Sequence, residues 1–281
     1  GEGTLGIATR ICVRLTQDPP LVATLLLDFL TIEEAAETVS AIIAAGILPA
    51  ALELMDQQVV AAVEPFAHAG YPMDAAAVLI VELDGLPAGI DDQVRRIDDL
   101  ARSHGAREVR RAADADERER IWKGRKSAFG AIANLKPDYY LNDTVIPRSR
   151  LAEVLAGIQE AVDRHDLLIM NVFHAGDGNL HPLIVYDARN AEETARVLEV
   201  GEEIVRLAIE AGGVLSGEHG IGLEKRRFMG LQFSPEDLEA QGRLRRAFDP
   251  DGIANPAKVL PSGASCGHVT SLGRIPEGTW V

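Results

Sequence analysis

Cysteine is scarce in this chain. Cys12 and Cys266 are the only two in 281 residues, and they lie far apart. That excludes a disulfide framework and fits a reducing compartment or no redox constraint at all. Basic charge is scarce as well, with 28 Lys and Arg against 43 Asp and Glu, a formal net charge of −15. No basic block is long enough to form a nucleic-acid footprint, so nucleic acid is excluded as a partner and a small anionic substrate needs a local cationic pocket. Long apolar runs are missing: Leu21 to Leu30 is short and holds Asp28, and Ala41 to Leu54 is broken by Gly46 and Pro49. No transmembrane segment is therefore expected. No basic stretch leads into an apolar run as in a signal peptide, and a cytoplasmic location is expected.

What is present is ordinary for a globular protein, with 47% hydrophobic and 25% charged residues. The length suffices for one large domain or two small ones. The opening, "GEGTLGIATRICVRL", carries neither Met nor a capping signal and reads like the middle of a strand-rich domain, hence a fragment. Ile7 to Leu15 alternates like a strand that "TQDPP" ends. Further strands are expected at Leu21–Phe29, Ala50–Met55, Val78–Leu83, Glu108–Arg111 and Tyr139–Ile146. Helices are expected at Ile32–Ala45, capped by Thr31, and at Asp91–His104, Asp114–Ile132, Pro147–His165, Ala191–Ala211 and Pro235–Phe248. Hairpins and short edge-like strands between these units favour an α+β fold, a largely antiparallel sheet with helices packed on one face.

Two stretches carry chemistry. In "NVFHAGDGNLHPLIVY" (Asn171 to Tyr186) two strand-like flanks surround a Gly-Asp-Gly-Asn turn, and Asp177-Gly178 is a favoured central pair for a hairpin. A turn centred there sets His174 opposite His181, with Cβ atoms about 5 Å apart, close enough for two imidazoles to share one ion. The second stretch is "GVLSGEHGIGLEK" (Gly213 to Lys225). Neighbours on a regular strand face opposite ways, but the glycines around Glu218 and His219 permit a bend that brings both to one centre. Two imidazoles and a carboxylate with an open position suit catalytic Zn²⁺, and Mn²⁺ or Fe²⁺ also fit. A surface histidine pair beside a loop that only turns remains the plain alternative.

"HAGDGNLHP", "GEHGIGLEK" and "NPAKVLP", supported by "ALELMD", "WKGRKSAF" and "DYYLNDTVIPRS", together resemble the C-terminal domain of FAD-linked oxidases. These are vanillyl-alcohol oxidase-type flavoenzymes acting on 2-hydroxy acids, and the likeness is closest to the glycolate oxidase catalytic subunit and the D-lactate dehydrogenases. The resemblance implies a ferredoxin-like-related substrate and metal domain over 21–261, preceded at 1–20 by the end of an FAD-binding domain and followed at 262–281 by a loose tail. It implies that His174, His181 and Glu218 are ligands of Zn or Mn and that His219 is the general base; a fourth metal ligand is the alternative reading of His219. Arg125 would hold the substrate carboxylate, and Gly3, Gly6 and Asn255 would lie against FAD. Ala257 stands where the family more often has glycine. Leu141 and Leu183 fall where 2-hydroxyglutarate enzymes carry a lysine and an asparagine, which favours a small monocarboxylate of glycolate or D-lactate type.

The implied reaction is oxidation of a 2-hydroxy acid to the 2-oxo acid, with other oxidase subunits as partners that could bring the protein to a membrane surface. Asp177 reads as a turn residue. His68, His104, His165 and His268 read as surface or helix-end residues, and Trp122 and Trp280 as packing and tail. The rival readings are a flavin-independent metal hydrolase and a non-catalytic fragment of the fold. Most of an FAD domain, on the order of two hundred residues in such families, is absent from the sequence. The isolated 281-residue chain is accordingly expected to purify without flavin, and stoichiometric flavin absorbance would overturn that expectation.

Overall fold

The structure is a computed structural model that describes residues 1–261. Cys266, His268, Trp280 and the rest of the expected tail lie outside the described residues. The described residues divide into a unit of Val13–His219 and a second that joins Gly1–Cys12 to the residues from Gly220 to Pro261.

The larger unit is built on strands β1 (Leu21–Phe29), β2 (Ala51–Asp56), β3 (Ala77–Gly85), β4 (Glu108–Arg111), β5 (Asp138–Leu141), β6 (Thr144–Val145), β7 (Leu168–Phe173), β8 (Asn179–Leu180) and β9 (Pro182–Tyr186). Seven of them form one sheet in the order β4-β1-β3-β2-β7-β9-β5. Every pairing in it is antiparallel, and β6 and β8 pair apart as a short ribbon. Helices α1 (Ile32–Ala44), α2 (Gln57–Ala67), α3 (Pro87–Ser103), α4 (Ala115–Lys126), α5 (Ala128–Ile132), α6 (Leu151–Arg164) and α7 (Ala191–Glu210) cover it. The first of these begins in a reciprocal capping box between Thr31 and Glu34, which satisfies two orphan donors of the first turn.

The α+β class and the largely antiparallel sheet hold, but helices on one face only do not. Leu25, Leu27, Phe29, Leu79 and Val81 point into a core shared with α1, α3, α6 and α7. Leu26, Val78, Ile80, Met170 and Val172 point the other way, into a second core with α2, α4 and α5. The runs "LLL" (Leu25 to Leu27) and "AVLIV" (Ala77 to Val81) are apolar at consecutive positions, as strands buried on both faces require; a sheet with one wet face would have alternated.

Four other expectations change. Ile7 to Leu15 belongs to no described ladder and exposes Ile7, Ile11, Val13 and Leu15, because strand-like alternation has no meaning without a neighbour to pair its N–H and C=O groups. The strand expected over Tyr139–Ile146 splits at Asn142-Asp143, β5 joining β9 and β6 joining β8. The helix expected over Asp114–Ile132 breaks at Ser127 into α4 and α5. An unforeseen helix, α2, begins at an Asp56 N-cap despite Pro65 inside it.

One face of α4 is locked to β3. The Glu82 carboxylate accepts from Arg118 Nε and Nη2 at 2.8 Å each, from Trp122 Nε1 at 2.6 Å and from Thr24 Oγ1 at 2.8 Å. Arg118, Trp122 and Arg125 fall on one helical face, so this anchor also aims Arg125 at the sheet. In the second unit, α8 (Met229–Gln232) precedes α9 (Pro235–Phe248), which starts in a Ser234–Asp237 capping box.

Asp56 joins β2 to α2 and is buried, accepting from the Val59 N–H at 2.9 Å and from the Asn171 N–H at 2.6 Å. Burial outweighs these bonds and pushes its carboxyl from 3.8 up to about 6. A raised acid pKa means that the folded state holds the proton more tightly, so stability from this group is present below the ordinary value and is lost as pH rises through the folded one. A change of that size corresponds to roughly 3 kcal/mol. Denaturant titrations are expected to show unfolding free energy falling by about that amount between 3.8 and about 6 relative to Asp56→Asn; parallel profiles for the two proteins would disprove the assignment.

Candidate active site

All the expected metal-ligating residues, with His219, lie in the larger unit and converge there, but not by the register expected. His174 bridges Asn179, not His181, and Ala175–Asp177 form a 3₁₀ turn in which His174 O accepts from the Asp177 and Asn179 N–H groups. Gly178 closes the turn with φ +71°, and a Cβ there would lie 2.2 Å from Ile146 O. The loop is thus four residues, as Gly178 takes the left-handed position that a tighter turn would have placed elsewhere. His181 reaches the site because the chain changes partner around it, from the β6–β8 ribbon before to the main sheet after. The two rings meet edge to face with centroids 5.4 Å apart.

Glu218 and His219 arrive on the same side because of Asp143, a residue that sequence reasoning missed. Its fully buried carboxylate accepts from Ser216 Oγ at 2.6 Å and from the Gly217 and His219 N–H groups at 3.0 Å, with Glu218 N–H at 3.3 Å. Consecutive N–H groups wrapped round one anion form a bent loop and not a strand. Gly217 is needed in it, since a Cβ would come within 2.4 Å of Asn179 Oδ1. The signal was an Asn-Asp pair in "LNDT", inside a segment expected to run as one strand.

Within this frame Glu218 Oε1 lies 3.0 Å from His181 Nε2, 3.7 Å from His174 Nε2 and 3.9 Å from His219 Nε2. The His181 and His219 rings stack at 5.0 Å. His174, His181 and Glu218 each place a donor atom within 4.8 Å of the others, as do Asp143, His181 and His219. His181 is almost fully buried, and burial holds its pKa below the ordinary value; its Nδ1 meets no hydrogen-bond partner in the described protein. The ring is therefore kept neutral, as a ligand must be, with polar capacity that the fold does not consume. Hydrogen bonding to Glu53, partly offset by desolvation, raises the pKa of His174. The donor set fits a divalent cation.

Arg125 lies on the last turn of α4 and is buried, its Nη2 2.9 Å and Nε 3.1 Å from Glu53 Oε2. It joins the cluster through Glu53, whose Oε1 lies 2.9 Å from His174 Nδ1; Glu53 was also missed, though a charge inside the apolar run "ALELMD" marked it. Leu141 and Leu183 stand directly opposite each other in the β5–β9 ladder. Gly3 and Asn255 belong to the other unit, where Asn255 Nδ2 donates to Glu2 O at 2.6 Å and a Cβ on Gly3 would lie 3.8 Å from Asn255 Cβ. Gly6 has no such neighbour. His68, His104 and His165 are helix C-caps.

The fold and this cluster define an α+β domain with a histidine–carboxylate centre at its strand ends, and the comparisons with known proteins place it in a family. Residues 18–259 match the FAD linked oxidases, C-terminal domain. The chain is 46% identical over 279 residues to the glycolate oxidase subunit GlcD of Escherichia coli (strain K12), covering 98% of this chain and 56% of the relative. It is 31% identical over 261 residues to the probable mitochondrial D-lactate dehydrogenase of Danio rerio, covering 92% and 52%. The fold is shared with the 4-ethylphenol oxidase of Gulosibacter chungangensis, at a TM-score of 0.66 and 17% identity over 89% of this chain and 56% of that one. The chain belongs to the FAD linked oxidases, of which it carries the C-terminal domain. It spans about half the length of the curated relatives it matches.

Asp143→Ala strips one acceptor from four part-buried donors, and the net loss per hydrogen bond is about 0.5–1.5 kcal/mol. Amide exchange at residues 217–219 is expected to accelerate by an order of magnitude or more, with a lower unfolding midpoint. Unchanged exchange at these amides would show that the loop holds its bend without the carboxylate.

Proposed function

We propose that this chain is the substrate- and metal-binding part of an FAD-dependent oxidoreductase that converts a small 2-hydroxy acid, of glycolate or D-lactate type, to the 2-oxo acid. The observation carrying this is the convergence of His174, His181 and Glu218 beside His219 in a chain whose relatives are a glycolate oxidase subunit and a D-lactate dehydrogenase. His174, His181 and Glu218 would hold a divalent cation, Zn²⁺ or Mn²⁺. When bound, the cation supplies Lewis acidity and a template for the hydroxy acid, and FAD supplies acceptance of the C2 hydride.

The protein's own part is positioning and proton transfer. His219 is more exposed than His181, its side chain 44% accessible against 3%, and would take the substrate hydroxyl proton at Nε2 as general base. Arg125 would hold the substrate carboxylate. Glu53 engages two of its nitrogens, but a guanidinium carries five donors, so donors remain for a second carboxylate. The apolar pair Leu141–Leu183 offers no partner to a distal carboxylate, which supports a monocarboxylate substrate. No helix among the described residues is long and apolar enough to cross a membrane. Association with other oxidase subunits belongs to the same reading, since the bacterial relative is itself named a subunit.

Equilibrium dialysis of the purified chain against Zn²⁺ and against Mn²⁺ tests the metal site, with His174→Ala and His181→Ala as controls. About one ion per chain, lost in both variants, is the expected result. An ion retained at the same affinity by both variants would place it elsewhere.

A further inference from the structure

We propose that Glu53 is a positioning residue that fixes the ring tautomer of His174. The inference rests on the metal-site reading above and adds to it a residue outside the ligand set. Glu53 sits in β2 between Leu52 and Leu54, which face one core, so its side chain turns to the other face, where α4 presents Arg125. The carboxylate is 6% exposed and its two oxygens are divided: Oε2 serves Arg125 Nη2 and Nε, and Oε1 meets His174 Nδ1 at 2.9 Å.

This division settles where a proton sits. One carboxylate oxygen already accepts from two guanidinium nitrogens of Arg125, and the other is offered to the imidazole as a hydrogen-bond acceptor. The contact at 2.9 Å therefore requires the hydrogen on Nδ1. A neutral imidazole has one N–H, so Nε2 carries a lone pair, and it faces Glu218 Oε1 at 3.7 Å. Two acceptors that face each other at this distance gain nothing until a cation lies between them. A carboxylate behind a ligating histidine is a general device for orienting the ring and raising its basicity. Arg125 completes the relay, because without it Glu53 would be an unpaired buried charge. The Arg125–Glu53–His174 chain thus ties the helix α4 to the strand end where the ligands gather.

The test uses the 281-residue chain with ¹⁵N-labelled histidine. Long-range ¹H–¹⁵N spectra in mildly alkaline solution, where imidazole is neutral, report the tautomer, and His174→Asn assigns the signal. The wild type is expected to show His174 as the Nδ1–H form. In Glu53→Gln a single amide oxygen must serve both Arg125 and His174, so the signal is expected to move toward the Nε2–H form. Zinc affinity, measured against a chromophoric chelator, is expected to fall about 10–100-fold. An Nε2–H form in the wild type overturns the proposal, as does an unchanged His174 signal and zinc affinity in folded Glu53→Gln. Should Glu53→Gln not fold, Glu53→Asp, too short to span both partners, supplies the same comparison. Failure of the wild type to bind zinc would defeat the metal-site reading alone, and the tautomer would then decide the role of Glu53.

Discussion

Four ionisable side chains, Glu53, Arg125, Asp143 and His181, are each less than a tenth exposed at one end of the larger unit. A charge taken out of water costs several kcal/mol unless it is paired or hydrogen-bonded, and a buried neutral imidazole also needs a hydrogen-bond partner, so each must meet a partner of fixed position. Glu53 meets Arg125 and His174, Asp143 meets the backbone of residues 216–219, and His181 meets Glu218. The geometry of the cluster follows from that requirement. Its members come from β2, α4, the β5–β6 link, the turn after β7, the β8–β9 junction and the loop near residue 218, and the buried charges hold these segments in register.

A sheet buried on both faces explains why the polar groups gather where they do. Between its two apolar layers there is no room for an unpaired carboxylate, whereas at strand ends the ladder stops and backbone donors become free. The change of partner at His181 is such an end, and so is the bend around Asp143. Both supply irregular backbone on a rigid support, the arrangement in which binding residues are commonly found. In the proposed reaction this division gives the chain the tasks of holding substrate and moving a proton.

Much of the fold was legible in the sequence. The strands β1, β3 and β4 and the helices α1, α7 and α9 announced themselves by apolar runs, caps and closing glycines, because these signals are local. The helices α2 and α5 were hidden, one behind Pro65 and the other behind the assumption that α4 continues past Ser127. The second helical layer was legible in the consecutive apolar residues of β3 but was read as ordinary strand composition. The convergence of His174, His181 and Glu218 was anticipated from motif and resemblance; the hairpin register offered as its cause was off by two residues, His174 facing Asn179 and not His181, since Gly178 stands at the end of a 3₁₀ turn.

The sequence by itself determined which residue types are available and which segments become strands and helices, because propensity, capping and apolar runs act over a few residues. Only the tertiary structure decided that Arg125 meets Glu53 across 72 positions and that Asp143 bends a loop 73 to 76 positions away. Those pairings are set by which strands are neighbours and by the requirement that buried charge be matched, and neither leaves a mark within any short window of residues.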